Sequence, residues 1–183
     1  MIPDSLRNNQ MLLLRGQSTL IGLPSPCALR SGKFPGVRIG LEPVIGEHCL
    51  IFGNVFIGNR FRCGNNVLIR DSTAIGDEVT IGNGAFIDSD VVISNHVTIG
   101  DDVCIPRSAR IGGHVGIGSH VRFLDRAGVP LRTGCRYRTI ILEDGCIIGK
   151  NVVIGPGVCV GAGACVEDGS ILMEDVSPVV HRS

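Results

Sequence analysis

The chain has 183 residues, with 17 Lys and Arg against 17 Asp and Glu, and it is 44% hydrophobic with no tryptophan and one tyrosine. That length suits one domain, and a formal net charge of zero excludes a general attraction to polyanions, so no nucleic-acid partner is expected. The apolar run Met11 to Leu14 is far too short for a signal-peptide core or a membrane span, so the chain reads as cytoplasmic with no membrane partner.

Residues 1–36 carry no repeat and are expected to form an irregular N-terminal cap or arm. From Ile39 to Phe123 every sixth residue is large and apolar or a cysteine, without a break in phase: Ile39, Ile45, Ile51, Ile57, Cys63, Ile69 and onward. Two residues before each sits a second, smaller residue, such as Val55, Val67, Thr73, Val79 or Ala85. A period of six fits neither a helix at 3.6 nor an alternating strand at 2. It fits a coil of very short strands joined by turns, repeated along an axis. Three hexads make one triangular coil, so residues 18 apart stack, with strands about 4.8 Å apart. The repeat resumes at Leu142, Ile148, Ile154, Val160 and Val166, so the coiled domain spans 37–172. Residues 124–141 break phase and read as a loop thrown out of the stack, and 173–183 form a short tail.

Eight cysteines show no CxxC spacing. Cys49, Cys63 and Cys146 fall at inward positions, where a reduced thiol behaves as a small hydrophobe. This argues against a disulfide framework or a cysteine metal site. Side chains just before each sixth-position residue point outward. On one face they form the column Leu50, Leu68, Phe86 and Cys104. A continuous apolar column exposed to water points to a subunit interface, and closed symmetry makes a ring of identical chains natural.

Hexads such as Ile75-Gly76-Asp77-Glu78-Val79-Thr80 and Ile99-Gly100-Asp101-Asp102-Val103-Cys104 resemble the hexapeptide-repeat acyltransferase family, and Ile148 to Val166 looks like its last coils. The resemblance implies an all-β fold, a left-handed parallel β-helix of hexapeptide repeats with one extruded loop. It also implies a homotrimer with acyl-coenzyme A in a groove between subunits. A single loop followed by two last coils is similar to the sugar acetyltransferases of the family. The implied activity is transfer of an acetyl group from acetyl-CoA, as co-substrate, to an amine or hydroxyl of a small acceptor such as a sugar or nucleotide sugar. No metal is expected.

Such a transfer needs a base to take the acceptor's proton, and histidine titrates in the right range. His96, His114 and His120 occupy outward turn positions in the coils before the loop; His114 and His120 are the first candidates and His96 the third. His96 and His114 are 18 apart and continue a column of Glu42, Arg60 and Glu78, while His120 lies above Asp102. The loop residues Asp125, Arg126, Arg132, Arg136 and Arg138 are candidates for the acceptor, since arginine forks pair with phosphate oxygens. Gly145, Gly157, Gly161, Ala162 and Gly163, with Lys150, are candidates for coenzyme contact, because a missing or small side chain lets a ligand approach the backbone. Two other readings are open. One is a non-catalytic β-helix scaffold. The other is a zinc enzyme like the γ-class carbonic anhydrases, although the histidine spacings of 18 and 6 do not match that family.

Overall fold

The computed structural model describes residues 13–14, 19–23, 36–124 and 139–179. Among these, all regular structure is strand, nearly always two residues long and parallel to the strand one coil away. The chain is a left-handed parallel β-helix. Its first face is an eight-stranded sheet including Arg62–Cys63, Thr80–Ile81, Thr98–Ile99, Gly116–Ile117 and Ile147–Ile148. The second face holds Leu50–Phe52, Leu68–Ile69, Phe86–Ile87 and Cys104–Ile105, then Arg122–Phe123, Val153–Ile154 and Ile171–Leu172. The third face includes Ala74–Ile75, Val92–Ile93, Arg110–Ile111, Ile141–Leu142 and Cys159–Val160.

The six-residue phase explains the core directly. Every sixth-position residue from Ile45 to Phe123 is buried, and so are Leu142, Ile148, Ile154, Val160 and Val166 after the loop. Ile75, Ile93 and Ile111 pair in successive rungs. Each buried isoleucine contributes roughly 1.5–3 kcal/mol relative to exposure, and the repetition adds these along the axis. Cys49, Cys63 and Cys146 lie in this core, and none of the six described cysteines is in a disulfide.

The corners need a backbone that reverses sharply. Each turn places one residue in the left-handed region: Glu42, His48, Asn54, Arg60 and Asn66 have φ of 55°, 56°, 58°, 53° and 58°, and the series continues to Asn151. That conformation costs a non-glycine residue about 1–2 kcal/mol. Hydrogen bonds between coils offset it. The N–H of the strained residue donates one coil back, as from Glu78 to the Asn59 carbonyl (2.8 Å) and His96 to the Asp77 carbonyl (2.9 Å). The residue before it supplies a side-chain acceptor for the coil below: Asn65 Oδ1 accepts from Glu47 N, Asn83 Oδ1 from Asn65 N, and Asp101 Oδ1 from Asn83 N. Hence the turns are rich in Asn and Asp.

Two features depart from simple repetition. Leu13–Leu14 pairs with Val44–Ile45 and Leu20–Leu23 pairs with Leu50–Phe52, so the segment expected as an irregular cap lays strands on two faces. Pairing of Leu13 with Val44 and of Arg110 with Ile141 both span 31 residues, 13 more than the regular 18 (31 − 18 = 13). In the first case twelve of the extra residues fall between Leu20 on the second face and Arg38 on the third; in the second all thirteen fall between Arg122 and Ile141. At the second of these the strand runs to Phe123, Leu124 N still donates to Ile154 O (2.8 Å), and pairing resumes at Ile141.

The second face is also interrupted, dividing into a five- and a three-stranded sheet between Cys104–Ile105 and Arg122–Phe123. Pro106 stands where Asp88, one coil earlier, donates its N–H to Ile105 O (3.0 Å). Proline has no N–H to give. At the far end the tail covers the third face: Val176 N donates to Cys159 O, Gly161 N to Val176 O, and Val179 N to Ala162 O.

Candidate functional site at the histidine corners

The three candidate histidines occupy two different corners. Between the third and first faces runs the column Glu42, Arg60, Glu78, His96, His114, Gly145 and Gly163, all at positive φ. Its side chains lie on one another. Arg60 pairs with Glu78, and Glu78 Oε2 is 3.3 Å from His96 Nδ1. The rings of His96 and His114 stack with centroids 4.7 Å apart and planes 13° apart. The spacing between rungs of a parallel sheet is the stacking distance of flat rings, so the fold imposes this contact. The Arg60 guanidinium holds the Glu78 carboxyl below the usual carboxylate range, first through their hydrogen bond and then through its charge.

His120 sits at the corner between the first and second faces, in the column His48, Asn66, Gly84, Asp102, His120, Asn151 and Gly169. Its Nδ1 is 3.7 Å from Asp102 Oδ2, and both side chains are exposed. The turn acceptor ladder runs on to Ser119, whose Oγ accepts from Asp101 N (3.1 Å). It stops there, because Lys150 follows one coil on and carries no oxygen. The Ser119 N–H, next to His120, therefore has no acceptor among the described residues. The same happens beside His96: the residue above Asn95 is Gly113, without a side chain. His114 and His120 belong to one coil but to opposite ends of its first face. Among the described residues, no three His, Cys, Asp or Glu side chains are grouped to hold a metal ion.

The coenzyme-contact candidates are distributed over all three corners rather than on one surface. Gly145, Gly161, Ala162 and Gly163 lie along the His96–His114 corner, Lys150 beside the His120 corner, and Gly157 between the second and third faces. Gly145, Gly157 and Gly163 have φ of 69°, 69° and 67°. Gly161 has a different origin: a Cβ there would lie 2.7 Å from Pro178 Cα, so the tail requires it. Lys150 N donates to Asp168 Oδ1 (2.7 Å). The loop candidates Asp125, Arg126, Arg132, Arg136 and Arg138 lie outside the described residues.

An open groove of about 410 Å³ borders the His96–His114 corner on the third face, between Val92, Arg110, Ile141, Glu143, Asp144 and Ala162. Sequence reasoning missed Arg110, Glu143 and Asp144. Resuming the phase at Leu142 opposite Ile111 would have found them, since it sets Asp144 beside Gly113, and Asp144 Oδ1 accepts from Gly113 N (2.7 Å). Glu143 Oε2 accepts from Ala162 N (2.9 Å). The column Leu50, Leu68, Phe86 and Cys104, expected as an interface, is aligned in register, half-buried in the single chain, and extended by Leu20, which is 52% exposed. No helix of the described residues is long and apolar enough to cross a membrane.

Residues 78–113 match the family described as bacterial transferase hexapeptide (six repeats). No curated protein matches the chain. Among solved structures, the chain is similar to UDP-N-acetylglucosamine acyltransferase of Francisella novicida, at 20% identity and a TM-score of 0.39, over 90% of this chain and 60% of that one. It is also similar to a point mutant of AntD, an N-acyltransferase from Bacillus cereus in complex with dTDP-4-amino-4,6-dideoxyglucose and coenzyme A (18%, TM-score 0.40, 89% of each chain). A third is PerB from Caulobacter crescentus with CoA and GDP-perosamine (16%, TM-score 0.24, 89% of this chain and 52% of that one). The chain thus spans less than two thirds of the length of the first and third of these. The match covers residues 78–113, and coils of the same six-residue period continue on both sides of it.

Proposed function

We propose that the chain is an acyltransferase that moves an acetyl group from coenzyme A to an amine or hydroxyl of a small acceptor, a sugar or nucleotide sugar, as a homotrimer joined through the Leu50, Leu68, Phe86 and Cys104 column. The observation that carries this reading is His120 beside Asp102 and beside the unfilled Ser119 N–H, on a transferase-type repeat. Asp102 at Nδ1 favours the tautomer with Nε2 free to accept a proton. Nε2 takes the proton of the acceptor as its nitrogen or oxygen attacks the thioester carbonyl. The new carbon–heteroatom bond leaves an oxyanion, and a backbone N–H such as that of Ser119 is the kind of donor that stabilises it. Collapse breaks the carbon–sulfur bond, and the proton held on His120 passes to the departing thiolate.

Of the three histidines, His120 suits the base best. His96 has one ring face covered by His114, and the ring nitrogens of His114 have no oriented partner among the described residues. The test is release of free coenzyme A thiol from acetyl-CoA in the presence of amino sugars, nucleotide-linked amino sugars and simple alcohols. Acceptor-dependent thiol release is expected. Its absence with every acceptor, with no rise in thermal stability on adding acetyl-CoA, overturns the reading, since a ligand binding only the native state must stabilise it.

A further inference from the structure

The column at the His96–His114 corner carries side chains up to His114 and then stops. Its next two members are Gly145 and Gly163, and a Cβ built on Gly145 would meet nothing within 4 Å. Positive φ does not by itself demand glycine there, because fourteen described residues other than glycine adopt it, Asn54, Asn66 and Asn151 among them. Nor does packing within the chain demand it. One face of the His114 ring is stacked on His96; the other looks toward a level of the column that no described side chain fills.

The surroundings specify what fits that level. Asp144 and Glu143 each use one carboxylate oxygen to accept a backbone N–H, from Gly113 and Ala162, and keep the other as an acceptor at the edge of the slot. The groove then runs over the third face, with Ile141 and Val92 on its floor, to Arg110. One guanidinium nitrogen of Arg110 donates to the Asp90 carbonyl (3.0 Å), leaving further N–H donors. Arg110 is four residues from His114, at most about 13 Å of extended chain. A flat ring with a donor edge, linked within that reach to an anion, matches all three parts.

We propose that the open face of His114, above Gly145 and Gly163, is the stacking site for the base of a nucleotide whose phosphates lie along the third face toward Arg110. This rests on the transferase reading only in its choice of sources, which are the adenine nucleotide of coenzyme A and the nucleoside diphosphate of a nucleotide-linked acceptor.

The experiment is calorimetric titration of the full chain and its variants with coenzyme A, ADP, UDP and pyrophosphate. His114→Ala removes the platform, His114→Phe keeps a ring face, and Gly145→Asn fills the slot with a residue that already occupies this conformation elsewhere in the coil. The dissociation constant of a nucleotide ligand is expected to rise about tenfold or more in His114→Ala and Gly145→Asn and to stay within about threefold of wild type in His114→Phe. Pyrophosphate should be indifferent to all three. Response of coenzyme A and ADP alone assigns the slot to the coenzyme, and response of UDP alone assigns it to the acceptor. Equal nucleotide affinity in wild type and Gly145→Asn, or a loss in His114→Phe as large as in His114→Ala, overturns the proposal. Affinities that follow the slot without any thiol release would sink the transferase reading and leave this one standing.

Discussion

His96 and His114, eighteen residues apart in the chain, stack ring on ring at 4.7 Å, and the same column ties His96 to Glu78 and Glu78 to Arg60. Arg60 is held above its ordinary value by its hydrogen bond to Glu78, and Glu78 is the member shifted in the acid range. Arg60, and secondarily His96, hold its carboxyl below its ordinary 4.5. A carboxylate with a depressed folded value stabilises the fold above its unfolded value, and that contribution is lost as pH falls through the lowered one. Urea midpoints measured from pH 6 down to pH 3 should therefore decline less steeply in Glu78→Gln than in wild type. The difference should shrink at high salt, because every partner is exposed. Parallel acid limbs at low salt would contradict the ladder as an electrostatic unit.

Replacing the proposed base gives the most direct test of the chemistry. His120→Ala should lower turnover by about 10²–10⁴-fold with the true acceptor. Asp102→Asn should lower turnover while leaving substrate affinity near wild type. Unchanged turnover in His120→Ala removes this residue as base.

Oligomer state tests the second face. A carboxylate placed at the centre of the Leu50, Leu68, Phe86 and Cys104 column must lose water if that face is covered, so Phe86→Glu should convert the assembly to monomers. Light scattering reads the mass. A variant with the wild-type mass would show that copies meet through a different surface.

Two glycines at different places in the hexad should behave differently: Gly82 directly follows the sixth-position Ile81, and Gly145 stands at a corner with φ of 69°. A Cβ on Gly82 would sit 2.5 Å from the Gly100 carbonyl carbon and 2.6 Å from Asp101 N, both backbone atoms of the next coil. Gly82→Ala should cost about 1–3 kcal/mol or more from overpacking. Gly145→Ala meets open space and should lose only the conformational term, about 1–2 kcal/mol. Denaturant titration separates them, and a larger loss at Gly145 would refute the contact between coils as the reason for the hexad glycine.

Much of this was legible before any coordinates. The phase of Ile45, Ile51 and Ile57 announced the core, because burial recurs with the period of the coil. The same phase put Glu78, His96 and His114 in one column, and the ion pair and ring stack follow from rung spacing alone. Other features had no periodic signal. Leu13–Leu14 and Leu20–Leu23 join the sheets by backbone pairing, which needs no six-residue pattern, at spans of 31 and 30 residues in place of the regular 18. Gly161 reads in the sequence as a candidate for coenzyme contact, yet the returning tail at Pro178 explains it. Gly157 and Gly163 look equivalent in sequence and stand on different corners. Six residues advance the chain by one face, which separates them; counting coils across the loop is what sets Gly163 in the column of His96 and His114.

The missing donor at Pro106 has a consequence for how the molecule comes apart. In a stack where each level touches only its neighbours, local opening concentrates where the joint is thinnest. One wall in three is a donor short at that level, because Pro106 has no N–H. Amide exchange should accordingly divide the protein there into a lower and an upper block with separate protection, so that one proline makes a continuous spring behave as two segments sharing a hinge line.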